Sequence, residues 1–303
     1  LTGCSKTPGG AASGNTPLVL NEVAHSIFYA PQYAAIELGY FEDEGIDLTL
    51  VNGAGADKVM TALISGDAQI GFMGSEASIY VYQEGSQDYA VNFAQLTQRA
   101  GNFLVGRQPE DNFKWENLKG KKVLGGRAGG MPQMVFEYIL KKHGLDPKTD
   151  LTIDQSINFG LTAAAFTSND ADYTVEFEPF ATTLESEGSG SVVASLGTES
   201  GYVPYTAYCA RKSYMEKNPE LIQKFTNAIQ KGMDYVNSHS AEEIAKTIAP
   251  QFKETPVDKI ATIVGRYKDQ DTWKDDTVFE KESFELLENI LEEAGELSQR
   301  VPY

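Results

Sequence analysis

Short apolar runs alternate with amphipathic stretches from Leu18 onward, and the alternation sets the fold class. Residues 17–23 (PLVLNEV), 46–51 (IDLTLV) and 68–74 (AQIGFMG) are compact apolar runs that predict strands. Between them, Tyr33, Ile36 and Tyr40, and then Val59, Met60 and Leu63, fall at helical spacing. Pro31 suits the first turn of a helix, and Gly45 suits its end. Residues 89–98 and 103–107 (FLVGR) read as two further strands, and 112–122 (NFKWENLKGKK) is polar and interrupts the pattern. The alternation then restarts at 122–126 (KVLGG) and runs through 171–177 (ADYTVEF) to 191–196 (SVVASL). Strand and helix in alternation predict parallel sheets covered by helices, here as two α/β units in tandem. The segment 204–214 (PYTAYCARKSY) reads as a strand returning to the first unit. After it the chain turns helical: Leu221, Phe225, Ile229, Met233 and Val236 form one apolar stripe, with Ser213 and Ser240 as expected caps of the first two helices.

Composition narrows the function. The 303 residues are 41% hydrophobic and 22% charged, enough for two cored domains. A formal net charge of −18 argues against a nucleic-acid partner, which requires a basic face. No run of about 18 apolar residues predicts a membrane span. The two cysteines, Cys4 and Cys209, and the three histidines, His25, His143 and His239, do not cluster, so neither a metal site nor a disulfide is expected. The first four residues, LTGC, resemble the lipobox of bacterial lipoproteins, with Cys4 as the lipid-bearing residue. The small and polar stretch that follows, SKTPGGAASGNTP, suits a tether.

Chemistry concentrates at strand-to-helix switches, where open α/β sheets bind ligands. Four loops carry it: 25–29 (HSIFY), 52–57 (NGAGAD), 74–78 (GSEAS) and 125–132 (GGRAGGMP). The last lacks the dinucleotide fingerprint because Arg127 stands where the second glycine belongs. It still offers backbone N–H groups at a helix start. The stretch 101–107 (GNFLVGR) has Walker-like glycine spacing but reads as a strand. No nucleophile elbow is present, and His25 beside Ser26 reads as structural. The stretch 172–180 (DYTVEFEPF) puts Thr174, Glu176 and Glu178 on one strand face, opposite Tyr173, Val175 and Phe177. Two carboxylates there are unusual, and ~6.5 Å of strand rise between them does not favour an acid/base pair. Glu178 suits a helix cap, and Glu176 lies one pleat deeper.

The stretches FEDEGIDLTLVNGAG, GDAQIGFMGSEAS, WENLKGKKVLGGRAGGMPQ and VEFEPFATTLE together resemble the SsuA/THI5-like (NMT1) group of ABC-importer substrate-binding proteins. The resemblance implies an α/β, periplasmic-binding-protein-like fold: two Rossmann-like lobes, a ligand cleft between them and a C-terminal helical tail. It places a tether at 1–16, lobe 1 at 17–106 and 206–303, lobe 2 at 107–205, and hinges at 103–107 and 205–211. It implies a monomer at the outer face of the cell membrane that closes on a small-molecule ligand and delivers it to permease subunits. No cofactor, metal or catalytic residue is implied. The ligand-binding residues expected are Ser26, Phe28 and Tyr29; Gly74, Ser75 and Glu76; Arg127, Gly129 and Gly130; Glu176 and Glu178; and Tyr205. The acidic face favours an aminopyrimidine-like heteroaromatic, with Phe28, Tyr29 or Tyr205 stacking on it. The alternative is an aliphatic sulfonate, nitrate or other small anion, met by Arg99 or Arg127. A pyrimidine-synthesising enzyme of the THI5 type shares the fold but would need a Cys-rich motif that this chain lacks. Glu176 departs from the group's aromatic-acid-Pro pattern, so ligand contact and a salt bridge with Arg99 or Arg127 both stay open.

Overall fold

Each parallel strand of the computed structural model is short and followed by a helix, as the alternation predicts. The structure describes residues 14–303 apart from Arg127 and Phe159. Cys4 and the tether as far as residue 13 lie outside the described residues, and Thr16, expected in the tether, already belongs to the first strand. Among the described residues, β1 (Thr16–Glu22), β2 (Ile46–Asn52), β3 (Ile70–Gly74), β4 (Ala90–Thr97) and β10 (Thr206–Arg211) form one sheet in the order β2-β1-β3-β10-β4. A second sheet has the order β7-β6-β8-β5-β9, from β5 (Phe103–Gly106), β6 (Lys122–Leu124), β7 (Thr152–Asp154), β8 (Tyr173–Glu176) and β9 (Ser191–Ser195).

The two sheets are built alike. β1 pairs in parallel with β2 and β3, and β6 in parallel with β7 and β8. The fourth strand of each sheet, β10 or β5, is antiparallel to both its neighbours. Each of these is the first strand after the chain has crossed from the other lobe. Because they run against the parallel strands, they begin where those strands end: Phe103 faces Glu176, and Thr206 faces Gly74. The crossings therefore lie at the carboxyl ends of both sheets.

This pairing corrects the expected hinge. Residues 103–106 are a central strand of the second sheet rather than the end of lobe 1, and 206–211 are a central strand of the first. The segments between the sheets are 98–102 and 196–205. Bending within either strand would break sheet hydrogen bonds on both sides, so the segments between the sheets are the freer places to bend.

The C-terminal helices are not confined to lobe 1. The helix Pro219–Ser238 buries Phe225, Ile229, Met233 and Val236 as the stripe predicts, but Ile222 is buried in place of the half-buried Leu221. It packs on the helix Ala30–Glu37. Ser240 caps its helix with a full capping box, whereas Ser213 donates to Asp88 and Asn218 precedes the long helix. The helix Val257–Asp269 and its C-cap residue Gln270 hold the first crossing. Tyr267 donates to the Gly101 carbonyl at 2.8 Å, and the Gln270 amide donates to the Ala100 carbonyl at 3.0 Å. Its Arg266 pairs with Glu185 of lobe 2.

Gly232 sits where the long helix meets its partner. A Cβ there would strike the Pro31 carbonyl and press on Ala35 Cβ at 3.0 Å. Gly232→Ala forces the two helices apart, and overpacking of this kind costs roughly 1–3 kcal/mol. Urea denaturation of the variant checks this; an unchanged midpoint contradicts the close packing.

Candidate functional site

A cleft of about 1480 Å³ opens at the carboxyl ends of both sheets. Lobe 1 contributes the loop after β1, including His25, Ser26 and Tyr29, the turn after β2, and Gly74 and Glu76 after β3. Lobe 2 contributes Gly129, Gly130, Met131 and Pro132 after β6, and Glu176 to Phe180 at the end of β8. The segment 250–255, beyond the helix Ala241–Ile248, forms part of the rim.

Three buried carboxyls line this cleft. Glu176 is 1% exposed; one oxygen accepts from the Thr162 hydroxyl at 2.9 Å and the other from Thr174 at 2.6 Å. Glu178, also 1% exposed, accepts from the Thr182 N–H at 2.8 Å and from the Thr182 hydroxyl. Thr182 lies in the first turn of the helix Phe180–Ser186, so Glu178 caps that helix as expected. Glu76 is 7% exposed and opens the helix Glu76–Gln83. Its carboxyl folds back over Gly74, where a Cβ would collide with it. Burial pushes all three carboxyls up to about 7; the threonine hydrogen bonds at Glu176 and Glu178 oppose this only in part. Arg266, near Glu178, works in the same opposing direction.

A second network ties the rim to lobe 1. Glu22 is buried at the end of β1 and accepts from the Gln32 amide and the Tyr33 hydroxyl, both at 2.8 Å. His25 lies 2.6 Å from Glu22 through Nδ1 and 2.9 Å from the Gln251 carbonyl through Nε2. Both neighbours are acceptors, so the ring is best satisfied as the imidazolium, and the Glu22 hydrogen bond raises its pKa. His25 is thus a clamp on the rim segment, in line with a structural role. Beside it, the Ser26 hydroxyl donates to the Glu178 carbonyl at 3.1 Å and joins the two lobes.

Of the residues expected at the site, Ser26, Tyr29, Gly74, Glu76, Gly129, Gly130, Glu176, Glu178 and Tyr205 line the cleft. Phe28 and Ser75 do not. Phe28 is fully buried, stacked on Tyr29 and Tyr267, because the turn Ile27–Tyr29 directs it into the core. Ser75 turns away and donates to the Pro204 carbonyl. Arg99 does not pair with Glu176: its guanidinium donates to the Gly197 and Thr198 carbonyls and stacks on Tyr202. Arg127 lies outside the described residues. The Gly129 N–H, one of the donors expected of the glycine loop, is taken by Gln133 at 2.8 Å. Sequence reasoning missed the rim segment 250–255 and the threonines that hold Glu176. Thr174 was legible as a neighbour two positions along the same strand face; Thr162 and the rim meet the site only through tertiary contact.

A carboxyl with a folded value near 7 and an unfolded value near 4.5 carries stability that is full below pH 4.5 and is lost as pH rises through 7. Glu76→Gln removes that loss. Relative to the unaltered protein, the variant gains stability between pH 5.5 and pH 8, by roughly 2 kcal/mol for a shift of this size. Urea denaturation at the two pH values measures the gain; a difference independent of pH contradicts a buried, raised Glu76.

Comparison with known proteins agrees with this architecture. The family model described as NMT1/THI5 like matches residues 27–243. YtlA of Bacillus subtilis, a protein named for binding, is 46% identical over 95% of this chain and 86% of its own length. The 4-amino-5-hydroxymethyl-2-methylpyrimidine phosphate synthase THI11 of Saccharomyces cerevisiae is 24% identical over 69% of this chain and 63% of its own. Among solved structures, the periplasmic aliphatic sulphonate binding protein SsuA of Escherichia coli superposes with a TM-score of 0.71 at 18% identity, covering 92% of this chain and 90% of that one. That likeness establishes a periplasmic-binding-protein fold. With a family match over more than two thirds of its residues and a relative of this identity along almost its whole length, the chain belongs to the NMT1/THI5-like family.

Proposed function

We propose that this protein is the extracytoplasmic solute-binding component of an ABC importer. It captures one small molecule between its lobes, closes on it and hands it to permease subunits without chemical turnover. The supporting geometry is a cleft walled by both lobes and crossed by two short segments, which lets ligand binding shift the population toward a closed form. The LTGC motif supports anchoring to the outer face of the membrane through Cys4.

One observation carries the ligand reading: three buried carboxyls, Glu76, Glu176 and Glu178, line one cleft. Such a wall repels a sulfonate or nitrate and suits a ligand rich in N–H donors. A carboxyl near half-protonation can donate its O–H to a ring nitrogen while accepting from an adjacent amino group. Tyr29, Phe177, Phe180 and Tyr205 add aromatic surface for a flat ring. We therefore read the ligand as an aminopyrimidine or similar heteroaromatic. The enzyme reading, which the name of the yeast relative raises, finds less support. Cys209 is buried away from the cleft among Val59, Leu63 and Met73, with its thiol pushed up to about 12, and both ring nitrogens of His25 are engaged.

Calorimetry with an aminopyrimidine, taurine and nitrate tests the proposal, with mass spectrometry of the mixture for turnover. The aminopyrimidine is expected to bind and be recovered intact. Glu176→Gln is expected to weaken it roughly tenfold or more, the worth of a charge-assisted hydrogen bond. Binding of taurine or nitrate alone overturns the ligand, and consumption of the pyrimidine overturns the carrier role.

A further inference from the structure

The three carboxyls of the cleft are not equivalent. Both oxygens of Glu176 are engaged by threonine hydroxyls, and both oxygens of Glu178 by Thr182. Glu76 differs: its Oε2 is buried with no hydrogen-bond partner, and no lysine, arginine or histidine among the described residues pairs with it. A buried carboxylate in this position is stable only if something else brings the missing charge or donor. Its surroundings suggest what that is. Tyr29, Tyr80 and Tyr205 line the same cleft as Glu76. A carboxylate set among aromatic rings is a receptor for a flat organic cation, which pairs with the oxygen and lies against the rings. Glu76 opens the helix Glu76–Gln83, and its own N–H and the positive helix end favour the carboxylate, but burial outweighs them and Oε2 stays without a partner.

We propose that Glu76 is the charge-recognising residue of this protein: the ligand enters as a planar monocation whose protonated nitrogen sits on Glu76 and whose ring lies against Tyr29 and Tyr205. The inference rests on the cleft being the ligand site. It does not require the ring to be a pyrimidine.

The test uses two probes with the same ring and opposite charge, benzamidinium and benzenesulfonate, and reads the melting temperature of the full chain, of Glu76→Gln and of Glu76→Asp. Benzamidinium is expected to raise the melting temperature of the unaltered protein. Glu76→Gln is expected to lose that rise, and Glu76→Asp, which keeps the charge with a shorter reach, to retain part of it. Benzenesulfonate is expected to leave all three unchanged. The inference is overturned by stabilisation from benzenesulfonate, by a benzamidinium shift that survives in Glu76→Gln, or by no shift from either probe. The two proposals fail separately. A benzamidinium shift without calorimetric binding of an aminopyrimidine removes the pyrimidine and keeps Glu76. Equal aminopyrimidine binding by the unaltered protein and Glu76→Gln removes Glu76 and keeps the pyrimidine.

Discussion

An antiparallel strand must begin where its parallel neighbours end, and this constraint organises the molecule. β5 and β10 are each the first strand after a crossing, and each is inserted antiparallel into the sheet it enters. The crossings are thereby forced to the carboxyl edges of both sheets. That edge is where open α/β sheets present helix starts and glycine turns. The cleft, the loops around it and the connection between lobes consequently share one end of each sheet. The C-terminal helices complete the arrangement by binding the first crossing from behind, through Tyr267 and Gln270.

The same edge concentrates unfavourable charge. Glu76 follows β3, Glu176 ends β8 and Glu178 precedes the next helix, and burial raises all three. A protein selected only for stability would replace them with apolar groups. Hydrogen bonds from Thr162, Thr174 and Thr182 hold two of the carboxyls in place without neutralising them. Rigid acceptors that await donors are what a selective binding wall requires, because the ligand then supplies the missing partner.

Much of this was legible in the sequence, and the remainder failed for identifiable reasons. The period change from strand to helix gave both α/β units and the amphipathic face of the long C-terminal helix. Most of the expected site residues line the cleft because strand-to-helix loops have a fixed place in such sheets. The hinge was misplaced because a strand's local pattern does not say which sheet it joins; 103–106 looks the same in either lobe. Phe28 was misassigned because local sequence does not say which of two stacked neighbouring rings lies deeper: Tyr29 reaches the cleft and Phe28 lies behind it. Arg99 was drawn to backbone carbonyls and Tyr202, contacts that no local spacing encodes. The rim at 250–255 is distant in sequence and joins the site through tertiary contacts such as those of Gln251 and Phe252 with His25.

The central claim is that the cleft wall is a set of carboxyls left without a neutralising partner until a ligand arrives. Carbon-13 NMR of glutamate-labelled, ligand-free protein tests it directly, with the three signals assigned by Glu76→Gln, Glu176→Gln and Glu178→Gln. The account predicts that all three carboxyl carbons titrate near pH 7. Titration of the three near the ordinary glutamate value, about 4.3, would contradict it.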